Sequence, residues 1–445
     1  MITAESYTKR RLQLADLLPG IPVLLVSGVD RRRNLAAYTY PFRSTSHYLF
    51  FGAPDYPNHA LLILNGDATL YRPAPDIDDA VWHGSSEAEE TVLKRYELKA
   101  IKALEELESD LASLGTDEVL SLPTPDEGSN HFLKRYLGRL PNLDEDPDVD
   151  LVDAMVELRL RQDEPAVEEL RQAVAATIIL QKAIIGACRP DITERALRGV
   201  ADFTLWNNGW NASFLPIISI AGEVLHNPYY CNTLSEGDLL LVDCGAEVES
   251  GYAGDLTRTV PVSGKFTPSQ KALYNVVERA RAKAVAMIAP GVHYAEVHKA
   301  AALEIATGLV ELGILKGDPE HLVEAGVHAL FFCHGIGHLL GLDSHDAEDF
   351  WDRIGYEAGT SRSNQFGLTN LRLSRKLEPG MVDTIEPGYY NIPALLNGPL
   401  GEKFAAYLDR EVLAKYSDVR GIRIEDVVLV TESGGENLSA ALVTS

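Results

Sequence analysis

Cysteine is scarce in this chain: Cys188, Cys231, Cys244 and Cys333 are its four, scattered without a CxxC pair. Their spacing excludes a zinc ribbon and a disulfide framework and fits a reducing cytoplasm. Long apolar runs are also missing, and none approaches the ~18 residues of a membrane span. The amino terminus, MITAESYTKRRLQLADLLPG, has an amphipathic helical pattern but not the apolar stretch of a signal peptide. Basic residues are outnumbered, 40 against 65 acidic, and the net charge of −25 speaks against a nucleic-acid or anionic-membrane partner. No repeat and no low-complexity segment stands out. What remains is an ordinary soluble composition over 445 residues, enough for two or three domains.

The front of the chain alternates helical and strand patterns, with Ile21–Val26 and Ala60–Leu64 reading as buried strands of a small α/β domain. A turn-rich stretch, LPTPDEG, and an acidic loop, DEDPDVD, precede a boundary expected at 155. A second domain, 156–445, opens on a long amphipathic helix with Pro165 in its first turn and Val167, Leu170, Val174 and Ile178 at helical spacing. Strand patterns follow at Asp238–Asp243, Tyr252–Val262 and Gly421–Val430, with helical patterns at 268–289 and 294–313. Helices alternating with hairpins predict an α+β domain with a mainly antiparallel sheet.

A quarter of the 12 histidines gather in Cys333–Asp346, CHGIGHLLGLDSHD. His334 and His338 stand four apart, the spacing of a zinc helix. Gly335 and Gly337 argue against one, since two glycines in one turn cost roughly 2 kcal/mol of helix propensity, and HExxH needs a Glu that is absent. The segment reads as extended or looping backbone whose histidines find partners elsewhere. Its glycines read as points where backbone passes close to a crowded site.

Four acidic residues sit where strands normally bury apolar side chains: Asp243 in LLLVD, Asp255 in GDLTRT, Glu386 in TIEPG and Glu425 in IRIED. Each alone suits a strand end in water. Together they are expensive to bury unless paired or metal-bound. If they converge with a histidine, their repulsion raises their pKa values, and two divalent cations cancel the charge. Four carboxylates and one imidazole form a hard, oxygen-rich set that suits Mn²⁺ or a similar ion.

The order Asp, Asp, His, Glu, Glu in the contexts LVDCG, GDLTRT, HGIGH, IEPG and GIRIED resembles the pita-bread metallopeptidases, the clan of prolidase and aminopeptidase P. The front domain resembles the aminopeptidase P amino-terminal domain in YPFRSTSHYL and AVWHG. This resemblance implies a pita-bread catalytic domain behind a smaller α/β domain and hydrolysis of the Xaa-Pro bond. The metal ligands it implies are Asp243, Asp255, His338, Glu386 and Glu425, holding two divalent ions, Mn²⁺ before Co²⁺ or Zn²⁺. It further implies catalytic roles for His226, His334, His345 and Glu386, substrate contacts from His226, His345, Arg372 and Arg423, and a cytoplasmic homodimer. A non-catalytic pita-bread binding protein is the rival of another class, disfavoured by five intact ligands.

Long intervals from His345 to Glu386 and from Glu386 to Glu425 resemble prolidase, which takes dipeptides, more than compact aminopeptidase P, which takes longer peptides. Within GLTNLRLSRKLEPGM, Arg372 matches the arginine that receives a dipeptide's terminal carboxylate, a bidentate fit for guanidinium. Two departures stand out. The Asp243–Asp255 interval is one residue longer than usual, so a bulge or longer turn near Glu249-Ser250-Gly251 is expected to absorb it. Asp346-Ala347-Glu348-Asp349 replaces glycines commonly found after the histidine-aspartate pair.

Overall fold

Val23–Val26 and Ala60–Leu64 pair antiparallel, Val23 opposite Ile63, at the centre of a five-stranded sheet. Asp67–Arg72 continues the sheet antiparallel, while Leu120–Ser121 and Ala100–Ala103 close its edges in parallel pairings. The computed structural model describes residues 2–35 and 37–442. This sheet belongs to the first of two units, Met1–Leu160, and its core gathers Leu24, Val26, Leu62, Leu107, Leu111 and Leu133. The unit extends past 155 because helix Val149–Arg159 buries Leu151, Val152 and Met155 within it, against helix Ala4–Leu17.

The second unit, Arg161–Ser445, begins with helix Glu164–Ala187. Asp163 caps it, its carboxylate accepting from Ala166 N at 2.9 Å, and Pro165 sits in the first turn, where its missing N–H costs nothing. This helix is long and apolar enough to cross a membrane by length and composition, although no such segment was expected. Half of its most apolar stretch is buried inside the protein, where Leu180 and Ile184 pack with Leu197, Leu205, Leu240 and Val242. A core helix meets the same criterion.

Strands in this unit pair antiparallel throughout the described residues. Leu239–Cys244 lies between Ile217–Ser219 and Leu256–Pro261. Asp426–Thr431 lies between Val382–Ile385 and Gly434–Asn437, and Gly388–Tyr390 pairs with Gly421–Arg423. The helices Pro268–Met287 and Tyr294–Glu311 fall on the expected patterns.

Asp383 escaped notice in the sequence, hidden in the apolar strand Val382–Ile385. It is fully buried, neither carboxylate oxygen has a hydrogen-bond partner, and burial pushes its pKa well above the usual range. An unpartnered buried polar group costs about 1–3 kcal/mol. Asp383→Val, which keeps a strand-favouring side chain, is expected to raise the melting temperature by roughly 2–8 °C in a thermal scan. An unchanged or lowered midpoint would mean that the carboxyl is stabilised where it stands.

Candidate metal centre and substrate pocket

The run Gly421–Val430 was expected to be one strand, and it is two. Gly421–Arg423 pairs with Gly388–Tyr390 in one sheet, and Asp426–Thr431 pairs with Val382–Ile385 in another. Pro387 accounts for the break, since it has no N–H to give a ladder. Ile385 stands opposite Asp426 and Gly388 opposite Arg423, so Glu386 and Glu425 face each other across the gap. Freed from the ladder, Glu386 N donates to Ile336 O at 2.7 Å and Glu425 N to Thr257 O at 3.0 Å. Both side chains turn into one cavity.

The other two carboxylates come from a hairpin. Its register runs unbroken from Pro261 opposite Leu239 to Leu256 opposite Cys244, and continues through the bridge between Glu247 and Ala253. The extra residue therefore sits in the turn, where Gly251 takes φ +85° and donates to Val248 O at 2.8 Å. Asp243 is opposite Thr257, two residues beyond Asp255, so both aspartates keep the same face. Gly254 brings the hairpin tight against the first helix: a Cβ there would lie 2.2 Å from Thr177 Oγ1 and 2.6 Å from Ala173 O.

The histidine segment is extended, as expected. It runs beside Val382–Ile385, with Thr384 N donating to His338 O at 2.9 Å and Leu340 N to Val382 O at 2.9 Å. A Cβ on Gly337 would lie 2.0 Å from Thr384 O, which explains the glycine. His338 Nδ1 bonds Leu339 O at 2.9 Å. A carbonyl only accepts, so Nδ1 carries the proton and the Nε2 lone pair faces Asp255 Oδ2 at 3.5 Å and Glu386 Oε1 at 3.8 Å.

Asp255, His338 and Glu425 each bring a donor atom within 4.8 Å of the others, and all three are buried. Glu386 and Asp243 line the same cavity of about 760 Å³. Burial, then Asp243 and Glu386, raises the Asp255 carboxyl well above the usual range. Glu425 is raised likewise by burial and by Asp255, and Glu386 by burial and Asp243. Asp243 Oδ1 has no hydrogen-bond partner. By contrast, the adjacent Asp426 is neutralised by protein: Arg258 bonds it at 2.8 Å, Arg281 also bonds it, and together they overcome burial to hold its carboxyl below the usual range. Among the described residues Asp255, Glu386 and Glu425 have no arginine bonded to them in that way and Asp243 has only Arg423, so the four carboxylates, with one imidazole lone pair, fit divalent metal ions.

Around this cluster, His345 stacks on His338 with ring centroids 3.8 Å apart, and its Nδ1 lies 3.2 Å from Glu348 Oε2. Burial and the neighbouring His338 push its pKa down to about 4. His226 stands exposed on the cavity wall, in a loop anchored by Asn227 Nδ2 donating to Ser219 Oγ at 3.0 Å. His334 Nδ1 donates to Gly335 O at 2.8 Å, so its Nε2 accepts from Tyr390 OH at 2.8 Å. Burial, then Arg423, lowers its pKa to about 3, which keeps it neutral.

Arg423, expected among the substrate contacts, lines the cavity and also braces it. With Nε 3.3 Å from Thr257 Oγ1, Nη1 2.9 Å from Tyr390 OH and Nη2 2.6 Å from Asp243 Oδ2, all three nitrogens are engaged within the protein. Its place at the end of Gly421–Arg423 buries the guanidinium beside Asp243. Tyr390 and Thr257 were missed in the sequence. Tyr390 joins Arg423 to His334, and Thr257 donates to Glu425 Oε2 at 2.8 Å. Arg372 lines the cavity and bonds Glu348 Oε2 through Nη1 at 2.5 Å.

Residues 168–432 match Metallopeptidase family M24, a span of more than half the chain. The chain belongs to that family. Residues 7–120 match the aminopeptidase P amino-terminal domain, so this M24 metallopeptidase carries a pita-bread catalytic domain behind an aminopeptidase P-type front domain. It is 30% identical to the Xaa-Pro aminopeptidase of Escherichia coli (strain K12), over 99% of this chain and 96% of that one. It is also 30% identical to the Xaa-Pro dipeptidase of Homo sapiens, over 94% of this chain and 86% of that one. Among solved structures it resembles proline aminopeptidase P II from Yersinia pestis, with TM-score 0.82, 28% identity and coverage of 100% and 98%. The M24 metallopeptidase is an enzyme of the divalent-metal type, consistent with the donor set just described.

Proposed function

We propose that the protein hydrolyses the bond between an amino-terminal residue and proline, with Xaa-Pro dipeptides as its main substrates. The convergence of Asp255, His338 and Glu425 at the cavity floor, with Glu386 and Asp243 beside them, carries the reading. Two divalent ions, Mn²⁺ before Co²⁺ or Zn²⁺, suit these five residues. When bound they supply a nucleophile at neutral pH and polarise the scissile carbonyl.

The remaining work falls to the chain itself. Asp243, Asp255, His338, Glu386 and Glu425 hold the ions, and Glu386, facing the cavity, accepts a proton from the attacking water. His345 and His226, on the cavity wall, contact the substrate carbonyl and return a proton to the proline nitrogen, which has no N–H before cleavage. His334 works through Tyr390 and Arg423, which keep Asp243 oriented. Arg372 receives the terminal carboxylate of a dipeptide.

A second reading, release of the first residue from longer peptides, has the likeness to aminopeptidase P behind it. Hydrolysis of Ala-Pro against Ala-Pro-Ala, after chelation and with Mn²⁺ restored, tests the function. Arg372→Ala is expected to lower kcat/KM for the dipeptide on the order of 100-fold and for the tripeptide far less. An equal loss on both would remove the carboxylate role. The proposal includes a homodimer, as the family resemblance implies, and a cytoplasmic location, with which the four unpaired cysteines agree.

A further inference from the structure

Arg372 is not a vacant fork. Its Nη1 meets Glu348 Oε2 at 2.5 Å, and the same oxygen lies 3.2 Å from His345 Nδ1. All three residues line the cavity that holds the carboxylate cluster. Glu348 begins the short turn Glu348–Phe350, directly after Ala347 at φ +54°, within the stretch that replaces glycines. No glycine could present a carboxylate there. Its side chain is 17% exposed and that of Arg372 46%, so the pair sits at the cavity wall within reach of an entering peptide.

We propose that Glu348 is a specificity-determining residue: it occupies Arg372 as a built-in stand-in for a substrate's terminal carboxylate, so that longer Xaa-Pro peptides compete with dipeptides. The inference rests on the Xaa-Pro reading given above. Two anionic groups then seek one guanidinium. A dipeptide's carboxylate must either displace Glu348 or bind Arg372 beside it, and like charges at such close range disfavour each other. A tripeptide carries an amide at that point and its carboxylate one residue further out, so it meets less of this repulsion. Because Arg372 is half exposed, solvent screens the effect and limits it to about tenfold.

Glu348→Gln keeps the shape and the acceptor oxygen while removing the charge. With the Mn²⁺-loaded enzyme, kcat/KM is measured for Ala-Pro and Ala-Pro-Ala in the parent, Glu348→Gln, Arg372→Ala and the double variant. The dipeptide-to-tripeptide ratio is expected to rise about tenfold in Glu348→Gln, through the dipeptide KM, and to shrink back as KCl is raised. In the Arg372→Ala background the same change should leave the ratio where Arg372→Ala alone put it. A ratio that stays level or falls in Glu348→Gln would overturn the proposal and leave Glu348 a positioning residue for Arg372. A parent that cleaves neither peptide would instead overturn the Xaa-Pro reading, a result distinct from a level ratio.

Discussion

Replacing Glu425 by Ala is expected to lower kcat/KM for Ala-Pro on the order of 10³-fold or more, and to weaken Mn²⁺ binding by more than ~100-fold. The two losses share a cause. Glu425 is 2% exposed and faces Glu386 across the strand break, while one of its oxygens accepts from Thr257. The backbone on both sides of Glu425 is fixed by ladders, so its donor oxygens are held in place by this residue's own position. The metal-free protein should respond in the opposite sense. Burial and Asp255 raise the Glu425 carboxyl, so the native state without metal carries a group that would rather be in water. Glu425→Gln, which keeps the volume and removes the charge, is therefore expected to melt about 2–6 °C above the metal-free parent at pH 8 and to gain little on adding Mn²⁺. Isothermal titration with Mn²⁺, thermal scans with and without chelator, and the Ala-Pro assay give the three readouts. Normal turnover in Glu425→Ala would sink the metal-centre assignment.

Much of this site could be read from the sequence because its chemistry is local to five short contexts. Acidic residues inside apolar runs carry a desolvation cost that ordinary strands avoid, and that cost drew attention to Asp243, Asp255, Glu386 and Glu425 together. The histidine segment was also readable, since paired glycines forbid a helix. What escaped depends on contacts distant in the chain. The strand break at Ile424-Glu425 is invisible in IRIEDVVLV because its cause, Pro387, lies on the opposing strand. Tyr390 looked like one aromatic among many, yet it links His334 to Arg423 across two strands. Arg372 read as a free carboxylate receptor because nothing in its own segment reveals Glu348, 24 positions earlier. Asp383 looked no different from the carboxylates named, and what separates it from them is that neither of its oxygens has a hydrogen-bond partner. In the front unit the apolar runs located two strands, while the parallel edge strands, Ala100–Ala103 and Leu120–Ser121, are too short or too polar for their pattern to show.

The stabilisation that Mn²⁺ confers is expected to grow as pH rises from the unfolded carboxyl range, near pH ~4, toward the raised folded values. In the metal-free state Asp255, Glu425 and Glu386 have folded pKa values above those of the unfolded chain, where carboxyls titrate near pH ~4. Between those limits the native state holds more protons than the unfolded state, so metal-free stability falls as pH rises through the folded values. Six histidines oppose this trend at lower pH, among them His59 and His226, both lowered chiefly by burial. His298 and His334 are pushed to about 3, and His328 and His345 to about 4, so each adds stability as pH rises toward the unfolded value near ~6.5 and nothing beyond it. The carboxyl effect is therefore cleanest above pH 7, and it is cleaner still as a difference between loaded and metal-free protein, from which histidines outside the cluster cancel. Metal binding displaces the carboxyl protons, so each one displaced adds about 1.4 kcal/mol of metal-dependent stability per pH unit. In a unit of this size that is roughly 2–3 °C per pH unit in the separation of the two melting curves. Scans at pH 6, 7 and 8.5, with saturating Mn²⁺ or chelator, measure it directly. A separation that does not change with pH would mean that the carboxyls are already ionised without metal, and that the cavity neutralises them by other means.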